Sequence, residues 1–235
     1  MNPLKFAVFV LSLSPAFLAA KDLMTFSTIE NSPYATISER VMRIAYARLN
    51  IDLSTLDLPA TRAIITSNSG TVDGELYRIK NIHSKYKNLI MIPVPIGKLE
   101  GVAITWKKDI AITTWDELSG QNVCFRRGVK FAEAGLNTMR AQPVGANKQL
   151  FNMLKTKRCD VIIIARITSI PLVSEFIETQ QIKLYQSVLQ SYPLFHYLHK
   201  KNKHLKPKLT RVLNEMQQEG IIQKVRSQFI ATQTQ

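Results

Sequence analysis

Cys159-Asp160-Val161-Ile162-Ile163-Ile164-Ala165-Arg166 is the stretch that decides the fold class. Val161 to Ile164 is an unbroken β-branched run with no polar alternation, the pattern of a strand covered on both faces in a parallel sheet. A strand is therefore expected over Asp160 to Ala165. Upstream of it, Asn147 to Lys155 and Gly128 to Met139 carry helical periodicity, and Asn122 to Phe125 reads as a strand. Trp115 to Gly120 reads as a short helix ending at a glycine. Downstream, Leu194 to Leu198 is strand-like, and Lys208 to Phe229 is a long amphipathic helix broken at Gly220. Toward the N-terminus, Lys21 to Thr28 alternates like a strand and Glu30 to Tyr34 reads as a turn. Ser38 opens a helix carrying Val41, Ile44, Ala45 and Leu49, and Ala60 to Thr66 is helical behind Pro59. Gly70 to Leu76 is a loop feeding a buried strand, and Leu89 to Ile96 and Gly101 to Trp106 are two further strands. Strands alternating with helices predict an α/β fold with largely parallel sheets.

Composition removes several function classes. The 235 residues include 31 Lys+Arg and 17 Asp+Glu, so 31 − 17 gives a formal charge of +14. With 46% hydrophobic and 20% charged residues, the chain has the composition of a folded protein and enough length for one large or two small cores. Two cysteines cannot supply a Cys-rich zinc site, and the nine glycines form neither G-x-G-x-x-G nor G-x-x-x-x-G-K-[ST]. Nucleotide-driven chemistry is thereby disfavoured. The G-x-S-x-G and H-E-x-x-H motifs of serine and zinc hydrolases are absent too.

The first twenty residues have the three parts of a secretory leader: Lys5, the apolar run Phe6 to Ala20, and small Ala19-Ala20 before Lys21-Asp22. That run, about 15 residues, is short of the roughly 20 needed to cross a bilayer. The expectation is a signal peptide over residues 1–20 and an exported, periplasmic mature chain. No cysteine follows the run to take a lipid anchor. The positive charge would ordinarily suggest nucleic acid, but no nucleic-acid module is recognisable. An anionic ligand, an anionic envelope surface or plain solubility are the alternatives. The densest run, Lys200 to Lys208, reads as a solvated turn and helix start, with a docking patch for an acidic partner as the alternative.

The order of these pieces resembles the bacterial extracellular solute-binding proteins of family 3, best known as receptors for polar amino acids. The carriers are Phe26-x-x-x-Glu30-x-x-Pro33-Tyr34, Gly70-x-x-Asp73-Gly74, Trp115-x-x-Leu118-x-Gly120-x-x-Val123, Cys159-Asp160-Val161-Ile162-Ile163 and Leu213-x-x-Met216-x-x-x-Gly220-x-x-x-Lys224-Val225. The resemblance implies a two-lobed periplasmic-binding-protein fold of type II. In it, two mostly parallel α/β sheets are joined by two crossing strands and close on a ligand by hinge motion. Lobe 1 would comprise residues 21–105 and 191–235, and lobe 2 residues 106–190. A small polar ligand, a membrane permease of the ABC type or a sensor partner, a monomeric state and no cofactor are what it implies.

Departures from the amino-acid-binding pattern point to a different ligand. Where such members place an arginine for the ligand carboxylate this chain has Lys85, and where they place a carboxylate for the ligand ammonium it has Ala165-Arg166. A desolvated ammonium would be left unpaired there, which is costly. Asp73-Gly74-Glu75-x-x-Arg78 and Arg127-Gly128-x-Lys130 are instead similar to a less characterised branch of the family. Gly128 to Lys130 places backbone N–H groups and a cation at a helix start, and Arg127 and Arg166 end two lobe-2 strands, where open α/β sheets bind ligands. With Glu75 in the same segment, Arg78 would face them from lobe 1 and complete a clamp for an anionic ligand. Tyr34 matches an aromatic that stacks on ligands in the family; Arg62 and Trp106 are further possible wall residues.

Three other constellations have a chemical reading of their own. His196, His199 and His204 invite a metal reading, but no neighbouring carboxylate or cysteine completes a set, so no metal site is expected. Cys124 and Cys159 begin strands that are neighbours in this fold. An oxidising compartment permits a bridge if their Cα atoms lie within about 7 Å, with two buried thiols as the alternative. Glu75 or Glu133 in a cleft would suit acid–base work, and the same fold hosts a few small lyases, but binding without turnover is the expectation.

Overall fold

The computed structural model describes residues 22–233 apart from 109, 111 and 138, with the backbone alone at 83. The leader expected over residues 1–20, Lys21 and the last two residues lie outside the described residues. In chain order the elements are β1 (Asp22–Ile29), α1 (Pro33–Ala47), β2 (Ile51–Leu58), α2 (Ala60–Ser69), β3 (Gly74–Ile79) and the long β4 (Leu89–Thr105). They continue with β5 (Val123–Arg126), α3 (Lys130–Gly135), β6 (Ala141–Val144), α4 (Asn147–Lys155), β7 (Val161–Ala165) and α5 (Arg166–Gln180). β8 (Tyr185–His199), α6 (Lys206–Gln218) and α7 (Ile221–Ala231) complete the chain.

Eight strands are hydrogen-bonded in one continuous order, β2-β1-β3-β8-β4-β7-β5-β6, whose halves on the β1–β3 side and the β5–β7 side are the first and second sheet. β1, β2 and β3 are mutually parallel at one end, and β5, β6 and β7 at the other. Antiparallel β4 and β8 run between the two groups, paired from Leu89–His199 to Thr105–Tyr185. They are the two crossing strands. Their register shifts at Pro95, Gly97 and Gly101, which break the ladder where the chain passes from one group to the other.

Packing divides in the same place. One core holds Phe26, Met42, Tyr46, Leu76, Ile92, Ile96, Leu198 and Leu213, drawn from β1, α1, β3, the first half of β4, the end of β8 and α6. Val102 and Ile104 pack with Cys124, Leu150 and Ile162 on one face of the second sheet, and Ala103 packs with Val123, Phe131 and Ile163 on the other. Val161 to Ile164 are all buried, so the β-branched run is the strand covered on both faces that its composition predicts. Gly74 fits tightly between the first sheet's strands: a Cβ there would meet the Tyr197 carbonyl oxygen at 2.1 Å, so no other residue fits. Gly220 takes a left-handed φ of 72° and separates α6 from α7, as its place in the pattern implies.

Several elements differ from the sequence reading. α1 begins at Pro33 rather than Ser38, because proline is preset for the first helical position and Tyr34, Ala35 and Ile37 already face the core. The strands expected at 89–96 and 101–106 are one continuous β4, and β8 begins at Tyr185 rather than Leu194. α3 is six residues long, not the whole of Gly128 to Met139. β2, β6 and α5 carry no pattern that predicts them.

Candidate functional site

The parallel strands place their carboxyl ends toward the crossing. Ile79 at the end of β3 pairs with Leu194 of β8, which pairs with Gly97 of β4. From the other group, Ala165 at the end of β7 pairs with Gly101 of β4. The segments that leave the carboxyl ends of β1, β2 and β3 therefore face those that leave β5, β6 and β7 across residues 97–101, the position at which open α/β sheets bind ligands.

Tyr34 stands at this junction, in the first turn of α1. Its side chain is 4% exposed, and its hydroxyl accepts a hydrogen bond of 3.4 Å from the Ile167 backbone N–H in the first turn of α5. Burial pushes the phenol up to about 12, against the Ile167 N–H and the Arg226 charge, which both favour its ionised form. It is a neutral acceptor under all ordinary conditions. Ile167 itself belongs to the first core although α5 follows a strand of the second sheet, so the two sheets are packed together here as well as strung together.

Beside Tyr34 lies a charge cluster that the sequence reading did not single out. Arg226 of α7 donates to the Lys98 carbonyl at 2.7 Å and to Glu100 Oε2 at 3.0 Å, while Lys98 Nζ reaches Glu100 Oε1 at 2.8 Å. Partial burial alone would raise the Glu100 carboxyl, but Lys98, Arg226 and Arg166 together hold it below the usual range. The pattern gave no warning, because Lys98 and Glu100 are two ordinary charges in an extended stretch and Arg226 is one of many on a C-terminal helix.

Arg78 and Glu75 are brought together, but with each other. Glu75 is 0% exposed; its Oε1 accepts from Arg78 Nε at 2.6 Å and its Oε2 from the hydroxyls of Ser27 and Ser67 at 2.9 and 2.8 Å. Arg78 also donates to the Ala60 carbonyl at 2.7 Å. Burial raises the Glu75 carboxyl even with Arg78 and both hydroxyls favouring its charge. The ion pair ties β1, α2 and β3 at the carboxyl end of the first sheet.

Across the junction, the Arg127-Gly128-Val129-Lys130 loop supplies the expected backbone donor and cation, and Glu133 of the same short helix meets both. Its Oε1 accepts from Gly128 N at 2.7 Å and its Oε2 from Lys130 Nζ at 2.6 Å. Lys130, then the Gly128 N–H, hold that carboxyl below its usual range. The local anion position is filled by the chain's own carboxylate. Arg127 and Arg166 are exposed at the carboxyl ends of their strands, and Arg62 is exposed in the first turn of α2 on the same side.

Trp106 lies elsewhere. It follows the far end of β4, where Thr105 pairs with Val161 at the beginning of β7, and Lys107 and Lys157 place ammonium groups 5.7 and 5.2 Å from its ring centroid. Cys124 and Cys159, at that same end, are joined as a disulfide with Cα atoms 5.9 Å apart. A hollow of about 890 Å³ opens there too, beside Gln121, Asn122, Arg140 and Arg158. His196 is buried between Tyr46 Oη at 2.9 Å and the Leu76 carbonyl at 3.0 Å, and His199 accepts from Lys201 N at 3.3 Å.

No family model matches the chain. An uncharacterized protein of Shewanella oneidensis is 28% identical over 234 residues, spanning 88% of this chain and 86% of that one. Among solved structures, the GluR0 ligand-binding core in complex with L-glutamate aligns with a TM-score of 0.72 at 11% identity, over 90% of this chain and 99% of that one. The probable amino-acid ABC transporter extracellular-binding protein YtmK from Bacillus subtilis gives 0.69 at 14% identity, over 89% and 98%. A histidine kinase sensor domain with similarity to periplasmic binding proteins gives 0.66 at 12% identity, over 89% and 96%. The likeness shows the fold: a two-lobed α/β architecture of the periplasmic-binding-protein type II, joined by β4 and β8.

Proposed function

We propose that the chain is an exported solute-binding protein of the family-3 type, which captures a small polar ligand between its lobes and passes it to a membrane permease. The observation that carries this reading is the junction itself: two sets of strand carboxyl ends face each other across two crossing strands whose ladder is interrupted there, with Tyr34 of one side set against the α5 N-terminus of the other. We place the passage between lobes at residues 98–101 and 191–193, so that lobe 1 takes 22–97 and 194–233 and lobe 2 takes 102–190. The leader and the Cys124–Cys159 bridge both support an oxidising, periplasmic setting.

An acidic group on the ligand is the finer part of the proposal. Arg78 is engaged by Glu75 and Lys130 by Glu133, so the cations offered to a ligand are Arg127 and Arg166 of lobe 2, with Arg62 facing from lobe 1. Guanidinium pairs suit carboxylates through bidentate geometry. The fold is also found in a histidine kinase sensor domain, which supports a second reading in which the loaded protein signals to a sensor.

Thermal unfolding of the chain from Lys21 to Gln235, across matched panels of amino acids, dicarboxylates and other anionic metabolites, tests the proposal. A ligand at 100 times its Kd stabilises by about 2.7 kcal/mol, which raises Tm by roughly 5–11 °C at this size. A shift confined to acids and lost in Arg127→Ala or Arg166→Ala supports the clamp. A shift with ordinary amino acids that survives both changes overturns the acidic-ligand part, and no shift with any solute counts against capture. Recovery of the solute unchanged separates a receptor from a lyase.

A further inference from the structure

We infer that the pole of lobe 1 remote from the junction is a docking surface for an anionic phospholipid bilayer. β4 begins there at Leu89 and β8 ends there at His199, and these two residues pair. The flanking segments, residues 85–88 and 200–208, are held side by side by a hydrogen bond of 2.8 Å from Lys200 N to the Asn88 carbonyl. Together they contain seven lysines, two in the first segment and five in the second, and neither aspartate, glutamate nor arginine. All seven are exposed.

The platform is fixed. Asn88 Nδ2 donates to the Asn68 carbonyl at 2.9 Å while its own carbonyl accepts from the Lys200 N–H; Asn202 Nδ2 donates to Asp73 Oδ1 at 3.1 Å. Lys201 Nζ lies 3.1 Å from Asp73 and 3.0 Å from the Gly70 carbonyl. Among the described residues, Lys201 is the single member of the seven with an ion pair; the other six meet no carboxylate. Six like charges held together without counter-charge repel one another, so the arrangement costs stability that an anionic partner would return.

The chemistry of the patch selects the kind of partner. Protein interfaces are built on buried aromatic and arginine anchors and are depleted in lysine. Here the formal charge comes from lysine alone, the one aromatic, Tyr86, is half-buried against the chain's own core with Lys85 over its ring, and none of the exposed large apolar side chains (Leu23, Leu56, Ile65, Ile177, Ile182, Val188) belongs to the patch. Flexible, strongly hydrated point charges without an apolar anchor suit diffuse attraction to a charged lipid surface. Docked by this pole, the molecule keeps the junction between its lobes away from the bilayer surface and open to solute.

The test is co-sedimentation of the purified protein with vesicles of phosphatidylglycerol and phosphatidylethanolamine, against vesicles of zwitterionic phosphatidylcholine. Binding is expected on the anionic vesicles alone, and it should fall steeply as salt shortens the Debye length from about 30 Å at 0.01 M to 10 Å at 0.1 M. Each lysine near an anionic surface contributes about a fivefold factor, so the variant Lys85→Gln/Lys87→Gln/Lys200→Gln/Lys203→Gln should lose at least about a hundredfold in partitioning. A control variant with the same charge change on lobe 2, Lys108→Gln/Lys148→Gln/Lys155→Gln/Arg158→Gln, should lose far less. Equal loss in both variants, binding that ignores salt, or no binding to anionic vesicles at low salt would each overturn the inference. Matching far-UV spectra and Tm for the two variants remove misfolding as an explanation. None of these readouts depends on the solute, so its outcome is independent of the transport proposal.

Discussion

His196 shows how much a single enclosed side chain contributes to this protein. Its Nδ1 faces the Leu76 carbonyl, which can only accept, so Nδ1 carries the proton and Nε2 accepts from the Tyr46 hydroxyl. Burial holds the ring neutral and lowers its pKa to about 4. In the unfolded chain a histidine titrates near 6.5, so between pH 6.5 and 4 the unfolded state binds the proton and the folded state does not. The contribution is thus fully present above pH 6.5 and lost as the pH falls toward 4, amounting to about 3 kcal/mol at 1.36 kcal/mol per pH unit. Urea denaturation at pH 7 and pH 4.5 should show that loss, and in His196→Gln the pH dependence over this window should flatten. The same scale explains why residue type alone misleads at the junction. Arg78 and Glu75 look like ligand groups in the D-G-E-x-x-R segment, yet with Glu75 fully buried an arginine beside it is needed to make its charge tolerable. A carboxylate three residues after Lys130 likewise takes the cation that the loop would otherwise offer.

Elements were legible where burial imposed a period. β1, α2, β5, β7 and α4 lie where their residues place them, because each buries a continuous face, and β7 buries both. β2 was not legible: it is an edge strand, and Leu53 is its one buried residue, so no alternation marks it. β6 is four residues with Pro143 among them, and α5 contains Pro171 and has apolar residues on every side. The junction was legible in part: the turns that carry Tyr34, Arg127 and Arg166 follow from strand order, but the Lys98–Glu100–Arg226 cluster depends on a contact between positions 126 and 128 residues apart. The two cysteines test an element-scale contact directly. β5 and β7 are adjacent parallel strands, and the bridge from the second residue of β5 to the approach to β7 closes a loop of 35 residues. Chain entropy puts its contribution at about 4 kcal/mol. Cys124→Ala/Cys159→Ala should therefore unfold roughly 8–16 °C lower in a calorimetric scan. Reduction of the unmutated protein should reproduce the shift, and reduction of the double variant should do nothing.

At the scale of the whole molecule, the question is what sets the angle between the lobes. β4 and β8 connect them but are interrupted by register shifts at the passage, so the strands permit bending more than they prevent it. Direct contact between the lobes must then decide the resting geometry, and among the described residues it includes Ile167, with Ala165 and Ile170 beside it, packed into the lobe-1 core, and the Ile167 N–H on the Tyr34 hydroxyl. The first is apolar and non-directional; the second fixes a distance and is lost on opening. A neutral hydrogen bond contributes about 1 kcal/mol net, and the N–H at a helix start has no partner within its own helix to fall back on. Tyr34→Phe keeps the ring and its packing and removes the acceptor alone, so a shift of about fivefold toward open forms is expected. Small-angle scattering should show this as a larger radius of gyration for the variant without added solute. On the proposed capture role, a saturating ligand should return both proteins to the same compact value, because its own contacts across the cleft would replace the lost one. If the two proteins scatter identically without ligand, the Ile167 packing holds the lobes by itself and Tyr34 is a wall residue, not a latch.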